Sequence, residues 1–240
     1  MVFELLRRDG PVVRVGHRGA PRVAPENTLE SLAAELELGV DAVELDVIAR
    51  GDGRLVLAHG VDAAALPTVH SLDEALAFLA SRDVGVLLDL KGRGHERELA
   101  AAVRGHGLLG RAFVSTPSPA SLSALRTIEP ALPLALTYPD DRFGLTGRRL
   151  VRPAVAPALA AMRRALPARL PRRVRRVGAR AASLNWTVVS PAVVERCHAL
   201  GVAVYAWTVN DRAVAARLVG AGVDGIITDD PRILEGPLTT

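Results

Sequence analysis

Residues 39–48 read GVDAVELDVI: a glycine, a short polar turn, then a run in which Val43, Leu45 and Val47 alternate with Glu44 and Asp46. Successive side chains of a strand point to opposite faces, so the three aliphatic residues share one face and both carboxylates the other. DVGVLLDL (83–90), GVAVYAWTV (201–209) and GVDGIITD (222–229) repeat the pattern of glycine, valine and an apolar run. The segments between such runs have helical period, an arrangement that implies a parallel sheet covered by helices. Strands are expected near 12–16, 42–48, 84–90, 111–115, 132–137, 180–185, 202–208 and 224–228. Eight is the number that closes a (β/α)8 (TIM) barrel, and 240 residues suit one such domain.

Helix boundaries follow from capping chemistry. Asn27 with Glu30 has capping-box spacing, with Leu29, Leu32, Ala33 and Leu36 as the apolar stripe and Gly39 as the stop. Ser71 with Glu74 repeats the box. Ser118-Pro119 and Ser190-Pro191 each place a cap before a proline at the first helical position. RLVLAH (54–59), after the turn residues Gly51-Asp52-Gly53, reads as a hairpin excursion near 49–65 from the second strand.

Composition narrows the function classes. Cys197 is the single cysteine, so neither an intrachain disulfide nor a cysteine metal cluster can form. The first ten residues, MVFELLRRDG, lack the apolar core of a signal peptide, and no run approaches the length needed to span a bilayer. A cytoplasmic location is expected. The net charge of +4 is unevenly placed, because Arg142 to Arg180 holds twelve arginines and no carboxylate. This insertion near 140–180 mixes arginine with Leu, Val, Ala and Met, the composition of an interfacial amphipathic segment, and predicts peripheral attachment to an anionic membrane surface. Pro153, Pro157, Pro167 and Pro171 are expected to divide it into at most two short helices. It contains one aromatic, Phe143, and no stacking series, which argues against nucleic acid as a partner. Nothing in the sequence defines an oligomeric state.

In a parallel barrel, reactive side chains collect where strands end and βα loops begin. The first strand ends in Gly16-His17-Arg18-Gly19, which offers a proton-transfer group and a planar fork for phosphate. Glu44 and Asp46, if they point into the barrel, repel one another unless a cation lies between them, and hard oxygen ligands suit Mg2+ or Ca2+. Asp89 and Lys91 share a face at the end of the third strand; Lys91 is the only lysine in the chain. His59, at the end of RLVLAH, supplies a second histidine for an acid/base pair with His17. Each feature also has a structural reading, as a solvated basic loop, salt-bridged acids or a structural histidine.

GHRGAPRVAPENTLES (16–31), then VELDV, DGRLVLAH, LDLK, YAWTVN and GVDGIITDDP, together resemble the glycerophosphodiester phosphodiesterase (GDPD) family from about residue 12 to 231. The resemblance implies a TIM barrel of the phospholipase-C-like phosphodiesterase type, a divalent metal, and hydrolysis of glycerophosphodiesters to glycerol 3-phosphate and an alcohol. Carried over by motif, His17 and His59 become the acid/base pair. Arg18 and Lys91 become phosphate ligands, Glu44, Asp46 and Asp89 the metal ligands, and Trp207 a lining of the substrate mouth. Two departures stand out: Asp89 where the family usually has glutamate, and Gly60 where it has aspartate after the histidine. Rival readings are a lysophospholipase D acting on a lipid phosphodiester, and a catalytically inactive barrel that binds a phosphorylated ligand or a membrane.

Overall fold

In a computed structural model, which describes residues 2–7, 10–140 and 152–238, the chain forms a closed barrel of eight parallel strands. These are β1 (Val13–His17), β2 (Ala42–Ala49), β4 (Gly85–Lys91), β5 (Ala112–Thr116), β6 (Leu134–Tyr138), β7 (Ala181–Asn185), β8 (Ala203–Trp207) and β9 (Gly225–Thr228). The pairing of β1 with both β2 and β9 closes the ring. All eight lie within two residues of their expected positions. A short strand β3 (Leu55–Leu57) pairs antiparallel to β2. β1 leaves β2 after the pair His17↔Glu44, and β3 takes over that edge from Val47↔Leu57 onward. His59, two residues beyond β3, is thereby carried to the mouth above the end of β1.

The helices are α1 (Leu29–Glu37), α2 (Val61–Ala64), α3 (Leu72–Ala80), α4 (Glu96–Gly105), α5 (Pro119–Ile128), α6 (Arg152–Val177), α7 (Pro191–His198) and α8 (Arg212–Gly220). The caps at Ser71, Ser118 and Ser190 form as expected. The cap of α1 does not: Thr28, in a reciprocal box with Ser31, takes the place assigned to Asn27 and Glu30. Asn27 instead turns its amide to β2, accepting from the Asp46 N–H at 3.2 Å. The inward face of α1 is correspondingly rotated, with Ser31, Leu32 and Glu35 buried, while Ala33 and Leu36 are only partly covered.

Two apolar layers hold the barrel. Val43, Leu45, Val47 and their counterparts on the other strands pack outward against the helices. The lumen below the mouth is filled by Val15, Leu87, Phe113, Tyr205 and Ile227 among the alanines of β2, β6, β7 and β8. Large rings fit because facing positions are small: a β-carbon on Gly225 would lie 2.2 Å from the Tyr205 ring. Phe3 plugs the lower end, stacked on Phe113 with centroids 5.8 Å apart, and the Tyr205 hydroxyl donates to the Leu5 carbonyl at 3.0 Å. The lower lumen is thus a packed solid, and the polar side chains that face into the barrel lie at its upper end.

The arginine-rich segment behaves differently from the expectation of two short helices. Its first part, through residue 151, lies outside the described residues; from there α6 is one continuous helix with Pro157, Pro167 and Pro171 inside it. A proline removes one backbone hydrogen bond and bends a helix but need not end it when packing holds both sides. Here Leu166, Leu170, Val174 and Val177, spaced by four, four and three residues, are buried against the barrel. At about 1.5 Å per residue, 26 residues span about 39 Å, far more than the neighbouring helices. Residues 156–165 include no buried side chain, and the helix descends from the mouth toward the start of β7, so this unburied part stands beside the mouth. No helix among the described residues is long and apolar enough to cross a membrane.

Leu170→Ala is expected to lower stability by about 2–5 kcal/mol, the range for a buried leucine, whereas Leu159→Ala, where the side chain is only partly buried against the core, should cost less. Urea unfolding of the two variants measures the difference; equal losses would mean that the upper part of α6 is packed as tightly as the lower.

Candidate active site

The upper ends of the strands surround a cavity of about 530 Å³ whose lining includes His17, Arg18, Glu44, His59, Asp89, Lys91 and Trp207. Asp46, wholly buried, lies in direct contact with three of them. All eight residues singled out in the sequence therefore meet at one place.

Asp46 is the centre of the arrangement. Its Oδ1 lies 2.8 Å from Lys91 Nζ, and its Oδ2 lies 2.8 Å from Arg18 Nε and 3.1 Å from His59 Nδ1. Asn27 adds a side-chain donor at 3.4 Å. Burial would raise the Asp46 pKa, but Lys91, His59 and Arg18 together outweigh it and hold the carboxyl far below the ordinary carboxylate range. Glu44 has the opposite balance. Burial and the adjacent Asp46 charge push it up, to about 7, although its Oε2 accepts the Arg18 N–H at 3.0 Å. Asp89 accepts from Ser115 Oγ at 2.6 Å and is ion-paired with Lys91. Lys91 thus bridges Asp46 and Asp89, and its ammonium is held charged despite burial.

One oxygen each of Glu44, Asp46 and Asp89 lies within 4.8 Å of the others, the spacing at which three carboxylates can share one cation. The donors are hard oxygens, as Mg2+ and Ca2+ prefer. The raised Glu44 also marks negative charge that Lys91 and Arg18 leave uncompensated, so the residues fit a divalent metal. The shorter side chain of Asp89 still reaches the cluster.

His17 emerges from β1 with its Nδ1 2.5 Å from Asp229 Oδ1 and its Nε2 4.0 Å from Glu44 Oε2. Burial alone would lower its pKa, but the Glu44 charge and the Asp229 hydrogen bond dominate and raise it. Asp229, the residue after β9, is oriented in turn by Asn210, whose Oδ1 accepts the Asp229 N–H at 2.9 Å. His59 is about half exposed at the mouth. Its Nδ1 faces both Asp46 and, at 2.7 Å, the Arg18 guanidinium, donating to the first or accepting from the second according to tautomer. Gly60 caps the short α2 without a side-chain bond, so the orientation of His59 comes from Asp46 on β2 rather than from the following residue. Trp207, at the end of β8, lines the cavity; its Nε1 is buried and has no hydrogen-bond partner.

Three supporting residues were not singled out from the sequence: Asn27, Asp229 and Asn210. Asp229 had a usable signal, since an acid directly after a strand obeys the same strand-end rule as Asp46 and Asp89. Asn27 carried a competing one, its resemblance to a helix cap.

A sequence model described as the glycerophosphoryl diester phosphodiesterase family matches residues 17–83 and 86–233. The chain is 28% identical over 255 residues to the glycerophosphodiester phosphodiesterase of Caldanaerobacter subterraneus, covering 92% of this chain and 95% of that one. Among solved structures, it is similar to glycerophosphodiester phosphodiesterase from Agrobacterium tumefaciens, with a TM-score of 0.70, 22% identity and coverage of 93% and 98% of the two chains. A phosphodiesterase of Oleispira antarctica, solved with its product sn-glycerol-3-phosphate, matches with a TM-score of 0.71 and 21% identity over 94% of this chain and 95% of that one.

Metal-stripped protein is expected to lose stability as pH rises from 6 to 8. Glu44 and His17 both have folded pKa values above their ordinary ones, so their contributions are present at low pH and fade as pH rises through the folded values. Added Mg2+ or Ca2+ should restore more of the melting temperature at pH 8 than at pH 6, since a ligand stabilises the state it binds and ionised Glu44 binds it better. Thermal melts with and without metal at the two pH values check this; a metal effect equal at both would remove Glu44 from the cation site.

Proposed function

Because the chain belongs to the glycerophosphoryl diester phosphodiesterase family, we propose that it hydrolyses glycerophosphodiesters to glycerol 3-phosphate and an alcohol, with the help of a divalent cation held by Glu44, Asp46 and Asp89. The observation that carries the reading is the junction of this acidic cluster with two separately oriented histidines in a single cavity. When bound, Mg2+ or Ca2+ polarises a phosphoryl oxygen and offsets developing negative charge. Arg18 and Lys91 contribute donors to the non-bridging oxygens and hold the phosphate across the barrel axis.

His17 and His59 act as the acid/base pair. Each ring sits against a carboxylate, Asp229 for His17 and Asp46 for His59, so an imidazolium formed on either is stabilised where it forms. One histidine takes the proton from the attacking oxygen, and the other gives a proton to the leaving alcohol. The attacking oxygen belongs to water or to a neighbouring glycerol hydroxyl; both routes use the same residues. Trp207 lines the mouth and offers its side chain to the organic part of the substrate.

The unburied upper part of α6, with Arg163 and Arg164 exposed, supports a second element of the proposal, docking of the mouth on anionic lipid. Each engaged arginine is worth about 1 kcal/mol there. The lower apolar face of α6 is occupied by the barrel, so attachment is electrostatic and salt-sensitive rather than insertion. Equal, negligible co-sedimentation with neutral and anionic vesicles at low salt would sink this element and leave a small, water-soluble diester as substrate.

Metal-stripped protein incubated with glycerophosphocholine, glycerophosphoethanolamine, lysophosphatidylcholine and bis(p-nitrophenyl) phosphate, with Mg2+, Mn2+ or Ca2+ added in turn, tests the reaction. Release of glycerol 3-phosphate from the first two only with metal is expected. Preference for the lysolipid would favour the lysophospholipase D reading, and no turnover of any substrate would favour the inactive barrel. His17→Ala and His59→Ala should each lower kcat roughly 10²-fold or more without unfolding. Asp229→Asn should cost less and move the His17 limb of the kcat/KM profile to lower pH, because a group that raises the His17 pKa is gone.

A further inference from the structure

Helix α1 turns a glutamate inward. Glu35 is wholly inaccessible to solvent, and neither of its carboxyl oxygens has a hydrogen-bond partner. Ala20 lies close by, but its N–H falls outside hydrogen-bond geometry to either oxygen. Burial, reinforced by the nearby Glu44 charge, pushes the Glu35 carboxyl well above the ordinary range, the usual response of a buried acid with no cation beside it. An unsatisfied buried polar group is unfavourable and calls for an explanation.

The space it fills gives one. On β1, Val15 points into the barrel lumen, so Gly16 faces outward to α1. A β-carbon built on Gly16 would lie 0.8 Å from Glu35 Oε1. The backbone at Gly16 is not left-handed, so glycine is required there by space alone. The Glu35 carboxyl therefore lies behind the peptide that leads into His17.

The loop in front of it is held in an unfavourable conformation. Arg18 and Ala20 have φ of 55° and 50°, which residues with a β-carbon adopt only where their surroundings impose it. From the cavity side, Glu44 accepts the Arg18 N–H; from the start of α1, the Asn27 N–H donates to the Arg18 carbonyl at 2.8 Å and Ser31 Oγ donates to it at 3.3 Å. These contacts draw the loop toward the cavity and α1, and Glu35 fills the space behind it.

We infer that Glu35 is a positioning residue for His17 and Arg18: its side chain, seated in the space left by Gly16, is a prop beneath their loop, and the two residues form one steric unit. The role rests on the reading of His17 and Arg18 as working parts of the site, and it follows from volume whatever the ionisation state of Glu35.

Four variants of the metal-loaded protein test it: Gly16→Ala, Glu35→Ala, the double variant and Glu35→Gln. Thermal unfolding reads the steric unit, and kcat and KM on glycerophosphocholine read the positioning. Gly16→Ala is expected to lower both melting temperature and turnover, and adding Glu35→Ala to it should bring both back toward wild type, because the new methyl refills the space. Glu35→Ala alone should stay folded and lose kcat on the order of tenfold as the loop shifts, while Glu35→Gln, equal in shape, should stay close to wild type. Gly16→Ala as stable as wild type would overturn the steric unit. Unchanged kcat in Glu35→Ala, or Glu35→Gln as impaired as Glu35→Ala, would overturn the positioning role. Should Glu35→Ala fail to fold, Glu35→Met is read in its place, where retained turnover supports a prop and a loss as large as that of His17→Ala overturns it. A wild-type protein inactive on every diester would instead count against the proposed reaction, and the unfolding series would still report on the steric unit.

Discussion

A carboxylate with no access to water has to be neutralised where it stands, and Asp46 meets that requirement with groups from three different parts of the chain. Lys91 comes from the end of β4, Arg18 from the loop after β1, and His59 from the excursion after β3. Removing a charge from water is expensive unless it is paired and hydrogen-bonded, so these three elements are tied to one another through Asp46. The same pairing orients His59 and holds the Arg18 guanidinium in the cavity. The geometry of the mouth is in this sense a consequence of neutralising one buried acid.

Asp46 takes most of the available compensation, and Glu44 receives little. Two carboxylates on one face of one strand thereby differ strongly in proton affinity: Asp46 stays ionised, while Glu44 is pushed up by burial and by its neighbour. A divalent cation held there would relieve this imbalance without disturbing the apolar layers below, which are closed by Phe3, Phe113 and Tyr205. The division between a packed lower barrel and a polar upper end allows strained, incompletely compensated groups at the mouth to coexist with a stable fold.

Much of this was legible in the chain itself. Period-two alternation over Val43–Val47 placed both carboxylates on the lumen face, because the face of a strand residue is set locally. Eight apolar runs between capped helices were enough for a barrel, and glycine-flanked His17 and Arg18 stood out by position. Local signals failed where one residue had two possible uses. Asn27 reads as a helix cap, yet its amide bonds to Asp46, nineteen residues away. The prolines of α6 read as helix breaks, yet Leu166, Leu170 and Val174 pack the helix onto the barrel through them.

The sequence by itself determined the strands, their inward faces and the strand-end positions of His17, Glu44, Asp46, Asp89 and Lys91, since each follows from short-range periodicity and chain stereochemistry. Only the tertiary structure decided which groups share a charge: that Asp229 bonds to His17 Nδ1, that His59 leans on Asp46 in place of a following aspartate, and that Glu35 enters the space behind Gly16. Those contacts join residues far apart in the chain, and their partners are selected by closure of the barrel, a global condition that no local pattern encodes.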